Sequence, residues 1–309
     1  MSTLVIPDQL PFLQAVCWQI KDIYKLTPQE MLQCYERGWH YRGVLGNLDE
    51  SELNFVNALV QEYGSWLGSM VHLAQHQTIL DILSQLNAIF LNQCKTYFGG
   101  GTLLALTYDE YRLSQDIDFL CSDSIGYRQL RQAVYESQYQ ALFQTTEGLI
   151  FPREIQANQY GIRFPIVVGD LSIRLEIVSE GRIELGSPER LSWCPVACLN
   201  AVDQVAEKLL ANSDRWPDTS VLSRDLIDLA IIRLQGKLPA QAFAKAEAAY
   251  PVIAPLQKAI AAFQQQPDYR SRCYEALQIK NPGLIIDGLD QVAVDFGLAQ
   301  TERMWLEQD

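Results

Sequence analysis

One stretch constrains this 309-residue chain more than any other: Tyr97–Asp123, YFGGGTLLALTYDEYRLSQDIDFLCSD. It reads as strand, glycine turn, short helix, loop and strand. Lys95–Phe98 suits a strand end, Gly99, Gly100 and Gly101 follow, and Thr102 opens the apolar helix LLAL. Backbone amides at a glycine turn beside a helix N-terminus form a site for anions, phosphate above all. In the second half, Ser114–Cys121, Asp116 and Asp118 are embedded in an apolar run. Residues i and i+2 of a strand face the same way, so the two carboxylates stand side by side while Ile117 and Phe119 point into a core. Two close carboxylates repel each other unless a cation sits between them. A hard divalent ion fits, Mg²⁺ first, because it is held by one or two carboxylates plus substrate phosphates. A glycine pair alone is usually only a turn, and a lone D-x-D a solvated strand face. Their conjunction on consecutive strands points to nucleotide chemistry.

These residues resemble the nucleotidyltransferase superfamily, the fold of DNA polymerase β and the aminoglycoside nucleotidyltransferases. More narrowly they are similar to the AbiEii/AbiGii toxin family, whose core reads GGTxL and then R-x-S/T-x-DIDhh, with h apolar. Gly100-Gly101-Thr102-Leu103-Leu104 and Arg112-Leu113-Ser114-Gln115-Asp116-Ile117-Asp118-Phe119-Leu120 carry the match. The resemblance implies an α+β fold, a polymerase β-like mixed sheet flanked by helices. It implies transfer of NMP from an NTP to a hydroxyl, with pyrophosphate released at a two-metal Mg²⁺ site. Gly100, Gly101 and Thr102 would then hold the β,γ-phosphates, and Asp116 and Asp118 the metals. Arg112, Ser114 and Lys208 would neutralise the triphosphate and the leaving pyrophosphate.

Such a site needs a third carboxylate on a neighbouring strand, to complete one metal site and accept the proton of the attacking hydroxyl. Leu171–Ile177 alternates cleanly, with Ser172, Arg174 and Glu176 on its polar side. Glu176, in mid-strand, is the first choice. Asp170 is the second, although Asp after Gly169 is common for turn reasons alone. The bland alternative for Glu176 is a surface residue paired with Arg174 or Arg163. Two later helical segments resemble further family motifs: Lys208 in VAEKLLA, as a phosphate-meeting lysine, and Arg224-Asp225 followed by Asp228. Where the family often has an Arg two residues before the basic-Asp pair, this chain has Leu222. Otherwise Lys208 is a solvated helix position and Arg224–Asp228 a helix–helix ion pair.

Around this core the pattern suggests three parts: a helical module over 1–75, the nucleotidyltransferase core over 76–198 and a helical bundle over 199–309. Thr27-Pro28-Gln29-Glu30 predicts a capped helix running to Gly38. One helix is predicted over 70–94, with His72 and His76 on a polar face, and another over 125–143. Strands are predicted over 149–155, 160–168 and 171–179, and a connector with a strand over 181–198. Pro239, Pro251, Pro267 and Pro282 punctuate the helices that follow.

The net charge of −13 argues against non-specific nucleic-acid binding and leaves room for a local basic surface. Residues 190–309, with 12 basic and 15 acidic side chains, are the least acidic third and the expected place to meet a polyanion. Seven scattered cysteines suit reduced thiols in a cytoplasm. Cys194 and Cys198 lack the second Cys/His pair of a zinc site. The N-terminus lacks the basic start of a signal peptide, and no apolar run approaches a membrane span. The family resemblance implies a toxin of a toxin–antitoxin or phage-defence system, with the 3′ end of tRNA as acceptor and an antitoxin as partner. Two alternatives stay open. A small-molecule enzyme acting on a cationic aminoglycoside would suit the negative charge. A nucleotide-binding protein without turnover would be expected to have lost its D-x-D.

Overall fold

The computed structural model describes residues 4, 6–41, 45–46, 48–63, 65 and 73–301. The chain divides into two compact units, Met1–Met70 and Val71–Asp309. In the first, α1 (Pro11–Val16), α2 (Pro28–Gly38) and α3 (Glu50–Tyr63) enclose a core that includes Leu13, Met31, Tyr35 and Leu59. The predicted capping box forms: Thr27 accepts from the Glu30 amide and Glu30 returns the bond to the Thr27 amide at 2.8 Å. The start of α1 has no cap of its own. Buried Glu52, from α3, accepts instead from the amides of Phe12 (2.9 Å) and Leu13 (2.7 Å) and from the Tyr35 hydroxyl (2.8 Å).

The second unit is built on a five-stranded mixed sheet in the order β1-β2-β5-β4-β3. Its strands are β1 (Thr96–Gly99), β2 (Ile117–Cys121), β3 (Gln156–Ala157), β4 (Gly161–Val168) and β5 (Leu171–Ser179). Only β2 and β5 run parallel. Period-two alternation gives the sheet two chemically different faces. On one, Ile117, Phe119, Phe164, Leu175 and Ile177 pack with residues of α4 (Ala74–Gln85) and α7 (Ser124–Ser137). On the other, the register aligns Gly99, Asp118, Glu176 and Arg163 in one row across four strands.

Helix α6 (Gly100–Thr107) links the sheet to the helices beyond it: Leu103 enters the sheet core, while Leu104 and Ala105 enter the core of the later helices. These are α9 (Ala201–Arg215), α10 (Arg224–Gln235), α11 (Ala240–Glu247), α12 (Ile253–Gln264), α13 (Pro267–Ala276) and α14 (Pro282–Asp295). At Gly288 a Cβ would strike the Ala230 carbonyl, so glycine there lets α14 lie directly on α10.

Several predicted elements differ. The helix expected over 70–94 is two, α4 and α5 (Ala88–Gln93), because Asn87 leaves the helix to cap α5 and its amide donates to Leu142. The helix over 125–143 breaks at Gln138, with φ +50°, into α7 and α8 (Tyr139–Leu142). Over 149–155 there is one bridge, Ile150 to Val167, in place of a strand. The expected strand within 181–198 is reduced to bridges of Cys198 with Phe98 and Glu189. His76 does not lie on a polar face. It is fully buried, with Nδ1 2.7 Å from Glu110 and Nε2 2.9 Å from the Ser114 carbonyl, and ties α4 to the loop before β2. His72 lies outside the described residues. No described helix is long and apolar enough to cross a membrane.

Candidate active site

A cleft of about 240 Å³ lies between the polar face of the sheet and helices α9 and α10. It brings together Gly100, Gly101, Arg112, Ser114, Asp116, Asp118, Glu176, Lys208, Arg224 and Asp225, residues from five separate stretches of chain. Gly100 and Gly101 open α6, where the first amides have no intrahelical acceptor. Gly100 has φ +71°, and a Cβ there would collide with the Asp118 carboxylate. Only glycine allows the turn and the carboxylate to approach this closely.

At the acidic end, Asp118 and Glu176 are register partners on β2 and β5, and Asp116 immediately precedes β2. Asp116 accepts from Arg174 at 2.8 Å and Glu176 from Arg163 at 2.6 Å. The Asp118 carboxyl forms no hydrogen bond or ion pair among the described residues. Burial, and then the charge of Asp116, push its pKa up to about 6, against the pull of Lys208 and Arg174. A partly buried, unmatched carboxylate beside a second one fits a cation. As the side chains stand, no group of three acidic, His or Cys residues among the described ones is set to share one ion, because Asp116 and Glu176 are turned onto arginines. Asp170 sits at the β4–β5 turn and does not line the cleft.

The opposite wall is a buried charge network. Asp228 is fully buried and receives Arg112 through two bonds (2.6 and 2.9 Å), Lys208 at 2.6 Å, and the Tyr111 hydroxyl. Asp225 receives Lys208 at 3.1 Å and Arg215 at 2.7 and 2.9 Å. Burial alone would raise both acids, but the flanking cations hold both below the usual carboxylate range. Three cations against two anions leave a positive surplus beside the cleft. Arg224, with no ion-pair partner among the described residues, adds to it. Just before it, Leu222 and Ser223 both occupy the left-handed region (φ +57° and +49°), where side chains are strained. That bend starts α10 where Arg224 and Asp225 reach the cleft.

The model of the AbiEii family, the nucleotidyl transferase toxins of type IV toxin–antitoxin systems, matches residues 81–272. The chain belongs to this family. The matched span runs from α4 into α13 and contains every cleft residue named so far. This AbiEii-family chain is a nucleotidyltransferase with a mixed α+β fold. Among solved structures it is similar to JHP933 from Helicobacter pylori, with 18% identity over 72% of this chain and 92% of that one and a TM-score of 0.44. A second H. pylori chain, described as a candidate nucleotidyltransferase, gives 17% identity over 71% and 92% and a TM-score of 0.42. No curated protein matches.

Two of the predicted residues of this AbiEii-family site have partners within the protein. The Thr102 hydroxyl is turned from the cleft, buried, and donates to the Asp116 carbonyl at 2.5 Å, so it fastens α6 to the loop before β2. Arg112 is only 2% exposed and its charge is matched by Asp228, so its first task is to hold α10 against the core motif. Arg215 was missed, although it lies seven residues beyond Lys208, two turns along the same helix face. Also missed was the far end of the cleft, where Arg182 holds Glu180 (2.5 Å) and Glu207 (2.9 Å) together. Burial and the neighbouring Glu180 raise the Glu207 carboxyl, so it keeps its proton more readily than an ordinary glutamate.

Proposed function

We propose that this protein transfers NMP from an NTP to the terminal hydroxyl of tRNA, using Mg²⁺, in the cytoplasm and under the control of an antitoxin. The observation that carries the reading is the row Gly99–Asp118–Glu176, with the open turn at Gly100 packed directly on Asp118. It puts phosphate-binding amides and carboxylates within one ligand's reach. Asp116, Asp118 and Glu176 would hold the metal, which supplies charge neutralisation at the phosphates and a more acidic acceptor hydroxyl. The Gly100 and Gly101 amides with Ser114 bind one side of the triphosphate. Lys208 and Arg224 stand opposite, and their charge stabilises the leaving pyrophosphate. Glu176, on the polar face of the sheet, would take the acceptor's proton. Asp225 orients Lys208 and Arg215. Catalysis of this kind rests on positioning and fixed charge, with little covalent work for the protein.

The sheet beyond Glu176 presents Arg163 and Arg174, which would repel a cationic aminoglycoside, so the tRNA reading is favoured over the small-molecule one. Incubating the protein with Mg²⁺, each α-³²P-labelled NTP and total tRNA should label the tRNA, and the Asp116→Ala/Asp118→Ala double variant should not. Label on an aminoglycoside and none on tRNA would reverse the choice of acceptor. Transfer surviving in the double variant would remove the site from these residues.

A further inference from the structure

Arg163 and Arg174 do not belong to any motif of the sequence, yet Arg174 lines the cleft and Arg163 borders it through its pair with the lining Glu176. Both rise from the polar face of the sheet, on β4 and β5. Arg163 faces Glu176 across the strand pair, and Arg174 lies two residues before Glu176. Strand geometry sets their backbones ~8 Å apart diagonally. Their side chains are 46% and 52% exposed, unlike the buried Arg112. Each ends on a carboxylate of the acidic end, Arg163 on Glu176 and Arg174 on Asp116. Exposed pairs of this kind are weak and exchange easily, whereas the Arg112–Asp228 pair is locked by burial.

We propose that Arg163 and Arg174 form a phosphate track for the acceptor RNA, and that Glu176 and Asp116 restrain them until those carboxylates are engaged by a divalent cation. The inference rests on the nucleotidyltransferase reading above. Glu176 and Asp116 cannot give their full charge both to an arginine and to a metal. When they turn to the metal, the two guanidiniums lose the charge that holds them and are free for phosphate. They then stand beside the carboxylates, on the open face of the sheet, where a strand ending in a hydroxyl must lie. Guanidinium forks suit phosphate oxygens and carry no base preference. Binding would thus be ordered, nucleotide and metal first and RNA second. A chain of net charge −13 would meet RNA through one local cationic strip.

The test is fluorescence anisotropy with fluorescein-labelled tRNA, in EDTA and in Mg²⁺ with an α,β-methylene NTP that cannot transfer. Arg163→Gln and Arg174→Gln should each weaken tRNA binding several-fold and flatten the plot of log affinity against log salt by about 0.7. Glu176→Gln should strengthen binding in EDTA by freeing Arg163, and this gain should vanish in the Glu176→Gln/Arg163→Gln double variant. An equal gain with Arg163 already replaced, or unchanged affinity and salt slope in both arginine variants, would overturn the proposal. The EDTA cycle needs no metal, so it judges the arginine track alone. Calorimetric titration of the wild type with the Mg²⁺–NTP analogue judges the nucleotidyltransferase reading separately, and no binding there would overturn that reading.

Discussion

Asp118 is a side chain of the cleft that folding penalises for being ionised. Burial and Asp116 raise its pKa to about 6 from an ordinary 3.8, so the folded state resists losing that proton. The sign follows from linkage. Below pH 3.8 the acid is neutral in both states and there is no penalty. As pH rises to 6 the unfolded chain ionises more readily than the folded one and stability falls, and above 6 the penalty is complete. Asp118→Asn should therefore raise stability above pH 6 by about 3 kcal/mol in EDTA, with no gain at pH 3.5. Melting curves from pH 3.5 to 8 check this. An equal gain at every pH would mean that packing, not charge, sets the difference. The chemistry at this position was legible because two acids inside an apolar run are costly unless they are used. The orientation of Thr102 was not, since a threonine at a helix start serves a ligand or its own backbone equally well. Nor was the burial of His76, whose partner Glu110 lies 34 residues away in a loop where both Asp109 and Glu110 have positive φ.

Helices α9 and α10 are joined through charge as well as apolar packing. Asp228 uses both oxygens twice, for Tyr111, Arg112 and Lys208, so its removal would leave buried Arg112 without its counter-charge and Lys208 with Asp225 alone, which Arg215 already shares. Asp228→Ala should cost about 3–5 kcal/mol. By contrast, breaking the exposed Arg163–Glu176 pair should cost at most about 1 kcal/mol. Urea unfolding of Asp228→Ala and Arg163→Gln side by side checks the contrast, and similar midpoints would show that the network contributes little beyond its apolar surroundings. The existence of these helices was readable from period-3.6 apolar spacing, as the strand over 171–179 was from period two. Helix ends set by particular side chains were harder to place. Asn87 splits one predicted helix, and the left-handed Leu222 and Ser223 set the start of α10 at Arg224. Within the network Tyr111 and Arg112 reach Asp228 across more than a hundred positions, which no local pattern encodes.

At the scale of the molecule, each compact unit contains its own buried apolar cluster. Leu13, Met31, Tyr35 and Leu59 belong to the first, while the sheet core and the helix core both lie in the second. Every cleft residue falls within 71–309, the larger unit. A unit of roughly 240 residues buries enough surface to be stable alone, whereas one of roughly 70 is marginal. Residues 71–309 without the preceding segment should therefore show one cooperative thermal transition and bind the Mg²⁺–NTP analogue. The full chain should unfold in two steps, the smaller unit melting first. Asp228→Ala sharpens the test, because it should lower only the transition that the 71–309 fragment also shows. Were the fragment to lack a cooperative transition, the N-terminal helices would be part of what folds the larger unit. Were both steps to move with Asp228, the chain would be one thermodynamic unit despite its two compact parts.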